Sequence, residues 1–161
     1  DILSGAGYEV HAISGKKDQF EWLESLGASQ CYSRHELEWG QRPLESARWA
    51  GCIDSVGGSM LSGIAAAIKP WGNIASCGLA GGIKLQTTVM PFIIRGVSLL
   101  GIDSPQCPYA IREEIWPRLG SDWKPRHLAE ICRQRVTLDD MHQVFEKMMD
   151  GNSLGRVVVD L

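Results

Sequence analysis

A doubly wound α/β fold, a parallel sheet with helices on both faces, is predicted by three features of this 161-residue sequence. Strand-like and helix-like segments alternate from Tyr8 to Gly101, the arrangement that builds parallel sheets. Glycine-bearing turns such as Gly57-Gly58 and Gly78 follow the apolar strand segments, where strand must give way to helix. Composition is that of a globular chain, 44% hydrophobic and 22% charged, long enough for one domain with a sizeable core.

The elements follow in order. Residues 8–14 read as the first strand. A helix comes next, with Phe20, Leu23 and Leu26 at helical spacing, Asp18 as its N-cap and Gly27 as its stop. Residues 30–33 and 50–56 are the second and third strands. Gly57-Gly58-Ser59 opens a helix carrying Met60, Leu61, Ile64, Ala65 and Ile68, which Pro70 and Gly72 end. Residues 73–77 and 97–101 complete the strands of this part. Beyond Asp103 the pattern changes to two helices, residues 109–119 and 138–149, joined by Pro-rich and Trp-rich connections. The last strand, residues 156–161, carries Val157-Val158-Val159 and stands alone in the pattern, so either it adds to this sheet or, as favoured here, its partner lies in a segment outside this chain.

Several function classes are excluded early. A net charge of -3 with no long run of like charge gives no field to hold a nucleic acid. The apolar stretch at residues 89–100 is broken by Pro91, Arg95 and Gly96, short of the roughly 20 residues that a membrane helix needs. Cys31, Cys52, Cys77, Cys107 and Cys132 are widely spaced, without a CxxC or Cys/His ligand pattern, and read as reduced thiols in a cytoplasmic protein. His11, His35, His127 and His142 include no pair at metal-ligand spacing, so no zinc is expected. No Gly-x-Ser-x-Gly elbow supports hydrolase chemistry. Asp54, at the end of a buried strand, reads as a turn residue ahead of Gly57-Gly58 rather than a catalytic acid. The six tryptophans are scattered and read as packing groups.

One segment points to chemistry. The first strand ends on Ser14-Gly15-Lys16-Lys17, the place where a dinucleotide-binding βαβ unit meets the adenosine ribose. A carboxylate there pairs with a free 2′-hydroxyl and a cation with a 2′-phosphate, so Lys16 and Lys17 favour NADP over NAD. The first strand of such a unit and its glycine-rich turn would lie roughly 20 residues upstream. Residues 1–7 hold only a helix tail and Gly5-Ala6-Gly7, so the chain is expected to be a fragment.

Four segments carry a family resemblance. Ser25-Leu26-Gly27-Ala28, Asp54-Ser55-Val56-Gly57-Gly58, Cys77-Gly78-Leu79-Ala80-Gly81-Gly82 and Thr87-Thr88-Val89-Met90-Pro91-Phe92-Ile93-Ile94-Arg95-Gly96-Val97 resemble the zinc-independent medium-chain dehydrogenase/reductases. Within them the likeness is to the quinone-oxidoreductase-like branch of acrylyl-CoA reductases. The resemblance implies a Rossmann-like domain at residues 1–155, without its first strand, and a terminal strand at 156–161 that would return to a GroES-like substrate domain. It implies an NADPH-dependent reductase of α,β-unsaturated carbonyls, an acryloyl thioester or a quinone, with the 161 residues alone inactive. A non-catalytic nucleotide-binding or dimerisation module is the alternative.

The resemblance also assigns residues. Ser14, Lys16, Lys17 and Arg34 match positions at the adenosine 2′-phosphate. Leu79, Ile93 and Ser104 match positions along the nicotinamide half, and Asn152 matches a polar contact near the end. Asp18-Gln19 departs from the Ser or Thr that members often carry at the head of the first helix. No catalytic residue is assigned, because the polar group facing substrate comes from the other domain. Homodimerisation is expected through Val97-Ser98-Leu99-Leu100-Gly101-Ile102, an apolar edge strand without a blunting Pro or Lys.

Overall fold

The computed structural model describes residues 1–161. Its contacts divide the chain into two units, residues 32–113 and residues 1–31 with 114–161.

The unit of residues 32–113 is organised on β4 (Ile68–Ser76), the middle strand of a parallel ladder with β3 (Trp49–Asp54) on one edge and β5 (Ser98–Gly101) on the other. Burial along these strands is partial: Ile68, Gly72 and Ile74 of β4 and Asp54 of β3 are buried, while Ile53 of β3 and Trp71 of β4 are exposed. Helix α3 (Gly58–Ala67) joins β3 to β4, and α4 (Met90–Arg95) precedes β5. The core forms where α3 meets the sheet: Ile64, Ile68 and Ile74 are almost fully buried, with Leu61, Ala65 and Val97 around them. Trp39 and Trp49, edge to face at 6.3 Å, pack against this cluster. Trp39 lies against Gly63 so closely that a Cβ there would fall 2.3 Å from its ring, which is why a helix interior tolerates glycine at that position.

Helix α3 gives way directly to β4, where Ile68 turns to extended backbone. Its terminal carbonyls find donors elsewhere, as buried carbonyls must. Ala66 O accepts from Glu45 N (2.9 Å) and Arg95 Nη1 (2.9 Å), Ala67 O from Arg48 N (2.8 Å), and Ile68 O from Arg95 Nη1 (3.0 Å). The same guanidinium also donates to Glu45 O. Pro70 and Gly72, read from sequence as the end of the helix, instead lie within β4. A register shift occurs there: Trp49 pairs with Ile68, but Gly51 pairs with Asn73. Trp71 occupies the bulge at φ 64°, a left-handed conformation that costs a non-glycine residue about 1–3 kcal/mol.

In the other unit, β1 (His11–Ser14) leads through a 3₁₀ turn (Lys17–Gln19) into α2 (Phe20–Ser25). β1 pairs with β2 (Gln30–Ser33), whose first two residues belong to the same unit. The first strand is shorter than the expected 8–14. Asp18 does not cap α2: Gln19 holds the N-cap position, and the Asp18 carboxylate accepts from the Gln19 side chain at 2.6 Å. The short α1 (Ile2–Gly5) opens the chain, the unit boundary falls inside α5 (Tyr109–Gly120), and α6 (Leu128–Ile131) follows.

β6 (Cys132–Thr137), α7 (Met141–Met149) and β7 (Arg156–Asp160) complete the unit. Thr137 and Asp140 form a reciprocal capping box that starts a 3₁₀ turn (Leu138–Asp140) running directly into α7, so the helical segment expected at 138–149 is present with a 3₁₀ first turn. The expected solitary strand is corrected here: β7 has a partner within the chain, pairing in parallel with β6. β6 escaped the sequence reading because Cys132-Arg133-Gln134-Arg135 shows no apolar alternation and only Val136 of the strand is buried. The fold is thus a mixed α/β arrangement of Rossmann type, with its strands in three hydrogen-bonded sheets rather than one.

Candidate functional site

A cavity of about 260 Å³ opens in the unit of residues 32–113, between the segment after β2 and the glycine turns after β3 and β4. Arg34 and His35 supply its polar rim, Trp39 and Met60 its apolar wall, and Gly57 and Gly81 its backbone floor. The position follows from the fold, since ligands of parallel sheets bind beyond the carboxyl ends of the strands.

The two turns interlock. Gly57 and Gly82 form an isolated parallel bridge, and Gly81 N donates to Val56 O at 2.7 Å. Gly57 sits at φ 69°, and a Cβ on it would fall 2.5 Å from Gly82 O, so both conformation and space require glycine. Asp54, 1% exposed, accepts hydrogen bonds from Val56 N (3.2 Å), Gly57 N (3.0 Å) and Ser76 Oγ (3.4 Å). It fastens a turn, as its place in the sequence suggested, while Gly57 holds the N-cap position of α3.

Arg34 is exposed at the rim, with Nε 3.4 Å from His35 Nε2, while the His35 backbone N–H donates to Ser33 Oγ at 3.3 Å. Its guanidinium offers planar donors suited to a phosphate. Of the other assigned positions in this unit, Leu79 and Ile93 are exposed at 64% and 73%, apolar groups held in the open by the loop after β4 and by α4. Ser104 is exposed, and its carbonyl accepts from Arg112, which also donates to Cys107 O. Leu79, Ile93 and Ser104 are not among the residues lining the cavity.

In the other unit, Ser14 Oγ accepts from Lys16 N at 3.1 Å, and the Lys16 ammonium donates to Ser153 O, next to Asn152. The structure therefore draws Ser14, Lys16 and the Asn152-Ser153 segment together. Lys16 is half-buried, and Lys17 is exposed in the turn that leads to α2.

His35, Trp39, Ser59 and Met60 line the cavity without having been singled out from sequence. A signal existed for one of them: Gly63 inside an apolar helix run asks for a close neighbour, and Trp39 is that neighbour. Near the floor, burial pushes the Cys52 thiol up to about 11, with the charges of Asp54 and Cys77 adding to the shift.

Residues 1–119 match the family described as zinc-binding dehydrogenase. The chain belongs to that family. It is 45% identical over 161 residues to the acrylyl-CoA reductase AcuI of Ruegeria pomeroyi, covering 99% of this chain and 48% of that protein. It is 38% identical to the putative quinone oxidoreductase YhfP of Bacillus subtilis. The YhfP structure with NAD bound superposes with a TM-score of 0.95 over 99% of this chain and 49% of that one. The structure of Escherichia coli YhdH with bound NADPH has a TM-score of 0.91 at 40% identity, covering 98% and 48%. The chain spans about half the length of the relatives it matches.

The family's zinc does not fit the residues present. His, Cys, Asp and Glu side chains form no group of three that could hold a metal ion. A nucleotide fits better, because the cavity offers a guanidinium at its rim, an aromatic wall and a floor of close-packed backbone.

Proposed function

We propose that this chain is the cofactor-binding part of an NADPH-dependent oxidoreductase that reduces the β-carbon of an α,β-unsaturated carbonyl, an acryloyl thioester or a quinone. The observation that carries the reading is the cavity with Arg34 at its rim, walled by the glycine turns after β3 and β4. When bound, the nicotinamide supplies the hydride. The chain's own residues bind and orient. Arg34 reads the adenosine 2′-phosphate, and Leu79, Ile93 and Ser104 contact the nicotinamide half. Ser14, Lys16, Lys17 and Asn152 are proposed contacts of their own unit, where Lys16 donates to Ser153 O beside Asn152. Relatives support the reaction class by their names and the cofactor by their bound ligands, of which one is NAD and the other NADPH.

Residues 1–155 serve the cofactor, and 156–161 reach toward a substrate domain in the complete enzyme, with one edge of β7 taken by β6. No residue of this chain is proposed as a proton donor, and the 161 residues alone are expected to be inactive. The working compartment is the cytoplasm. No helix is long and apolar enough to cross a membrane.

A homodimer is proposed through residues 97–102. β5 pairs with β4 along one side only, with Leu100 in it and Ile102 just after it about half exposed, so its free edge can pair with a second copy. The same edge supports a second reading, a dimerisation or nucleotide-binding module without catalysis. Two measurements test these proposals. Arg34→Ala should cost NADPH affinity about 10-fold or more while leaving NADH nearly unchanged, and equal losses would refute the phosphate role. Sedimentation equilibrium should show a dimer at tens of micromolar, and a monomer there would refute the edge pairing.

A further inference from the structure

Asp54 is the one buried carboxylate in the core of its unit, and its side chain is met by two backbone N–H groups and a hydroxyl rather than by a cation. Taking a charge out of water is costly unless donors surround it, and the donors here belong to both walls of the cavity. Val56 N and Gly57 N come from the turn after β3. Ser76 Oγ comes from the end of β4. The main chain of Asp54 makes the same link, because its carbonyl accepts from Cys77 N at 2.8 Å and lies 3.3 Å from Cys77 Sγ. One residue thus ties together the two segments that then interlock at Gly57 and Gly82.

The fit between those segments leaves little slack. A Cβ at Gly78 would fall 2.5 Å from Ser55 O, and one at Gly81 would fall 2.6 Å from Val56 Cγ1. A small rotation of the Val56-Gly57 turn must therefore move Gly81 with it, and both line the cavity. A simple helix cap would hold only α3, whereas these bonds fix the spacing of two loops that face one ligand space.

We infer that Asp54 is a positioning residue for the nucleotide, one that never touches it and acts by setting the distance between the Val56–Gly57 turn and the Gly78–Gly82 loop. This rests on the dinucleotide reading of the cavity. Charge matters as well as shape: a carboxylate accepts from all three donors, while an amide in its place presents one accepting oxygen and turns an N–H₂ toward a donor.

The test uses the 161-residue chain and adenosine 2′,5′-bisphosphate, followed by NMR titration so that weak binding is measurable. Asp54→Asn should weaken binding about tenfold, consistent with one lost charge-assisted bond, and should speed amide exchange at Val56, Gly57 and Gly81. Asp54→Ala should do so further. Val97→Ala, in the core away from the cavity lining, serves as a variant of lowered stability and should leave affinity within about twofold. Unchanged affinity in Asp54→Asn, or an affinity loss in Val97→Ala in proportion to its lost stability, would overturn the positioning role alone. A wild-type chain that does not respond to the bisphosphate would overturn the nucleotide reading, and the inference with it.

Discussion

The unit of residues 32–113 and the unit of residues 1–31 with 114–161 are of similar length but are held together differently. The first buries Leu61, Ile64, Ile68, Ile74 and Val97 in one cluster between a helix and a three-stranded ladder. In the second, Leu26, Val136 and Val144 are the buried apolar residues, and its strands form two-stranded ladders. Two-stranded ribbons are marginal by themselves. The contrast shows where this chain has invested its packing: in the unit that shapes a cavity. Exposed apolar groups do not separate the two, since Phe145, Met148 and Met149 on α7 have counterparts in Ile53, Trp71, Ile83 and Ile93 of the first unit; the buried cluster does.

The comparison can be broken at its strongest point. Ile74→Ala empties a fully buried site and should cost about 2–5 kcal/mol, whereas Val136→Ala in β6 should cost about 1–2 kcal/mol. Chemical denaturation of the two variants decides it, and equal losses would mean that both units depend on packing to the same degree.

A pH experiment isolates the core next to the cavity. Burial holds the Cys52 thiol at about 11, above its ordinary value of 9.0. A raised folded value means that the unfolded chain releases its proton first, so the contribution is fully present below pH 9 and is lost as pH rises toward 11. Wild type should therefore lose about 1–1.5 kcal/mol more than Cys52→Ala between pH 8 and pH 10. Parallel titrations would contradict the burial argument. Alkylation at pH 8 should likewise reach exposed Cys77 well before Cys52.

Arg95 offers a narrower test. Its guanidinium meets the carbonyls of Glu45, Ala66 and Ile68, where α3 turns into β4. Arg95→Ala leaves carbonyls without a donor and should cost about 1–3 kcal/mol, read as a shift in the denaturation midpoint. Arg95→Lys should recover only part, because one ammonium cannot replace a forked donor. At the small end, Asp160→Asn breaks the exposed pair with Arg135 that joins β7 to β6. Stability should not change measurably, as is usual for exposed ion pairs, and a clear loss would show that this ribbon leans on charge where its packing is thin.

These differences also explain what could be read from the sequence. The ladder β3, β4 and β5 was legible because its strands are apolar runs set between glycine turns, and β2 was found with its exact bounds at Gln30–Ser33. The early start of β4 was not legible: Pro70 and Gly72 are ordinary helix stops, and only pairing with Trp49 reveals Ile68 as strand. β6 was missed because its residues carry charge rather than alternation, so its extended form follows from its pairing with β7.

The site divides in the same way. Arg34 was found through a resemblance, and it does lie at a cavity. Lys16, assigned to the phosphate by the resemblance, also donates to Ser153 O, a bond between residues 137 positions apart that no local pattern encodes. Trp39 and Met60 form the apolar wall only because a loop folds back on α3.

The central claim is that the cavity beside Arg34 takes the 2′-phosphorylated adenosine end of NADPH. The most direct measurement is a backbone and side-chain NMR map of the chain titrated with adenosine 2′,5′-bisphosphate and, separately, with 5′-AMP. The account predicts tighter binding of the bisphosphate by about 10-fold or more, with the largest shifts at Arg34, His35, Trp39, Gly57 and Gly81 and a loss of the difference in Arg34→Ala. Equal affinity for the two nucleotides, or shifts that bypass these residues, would contradict it.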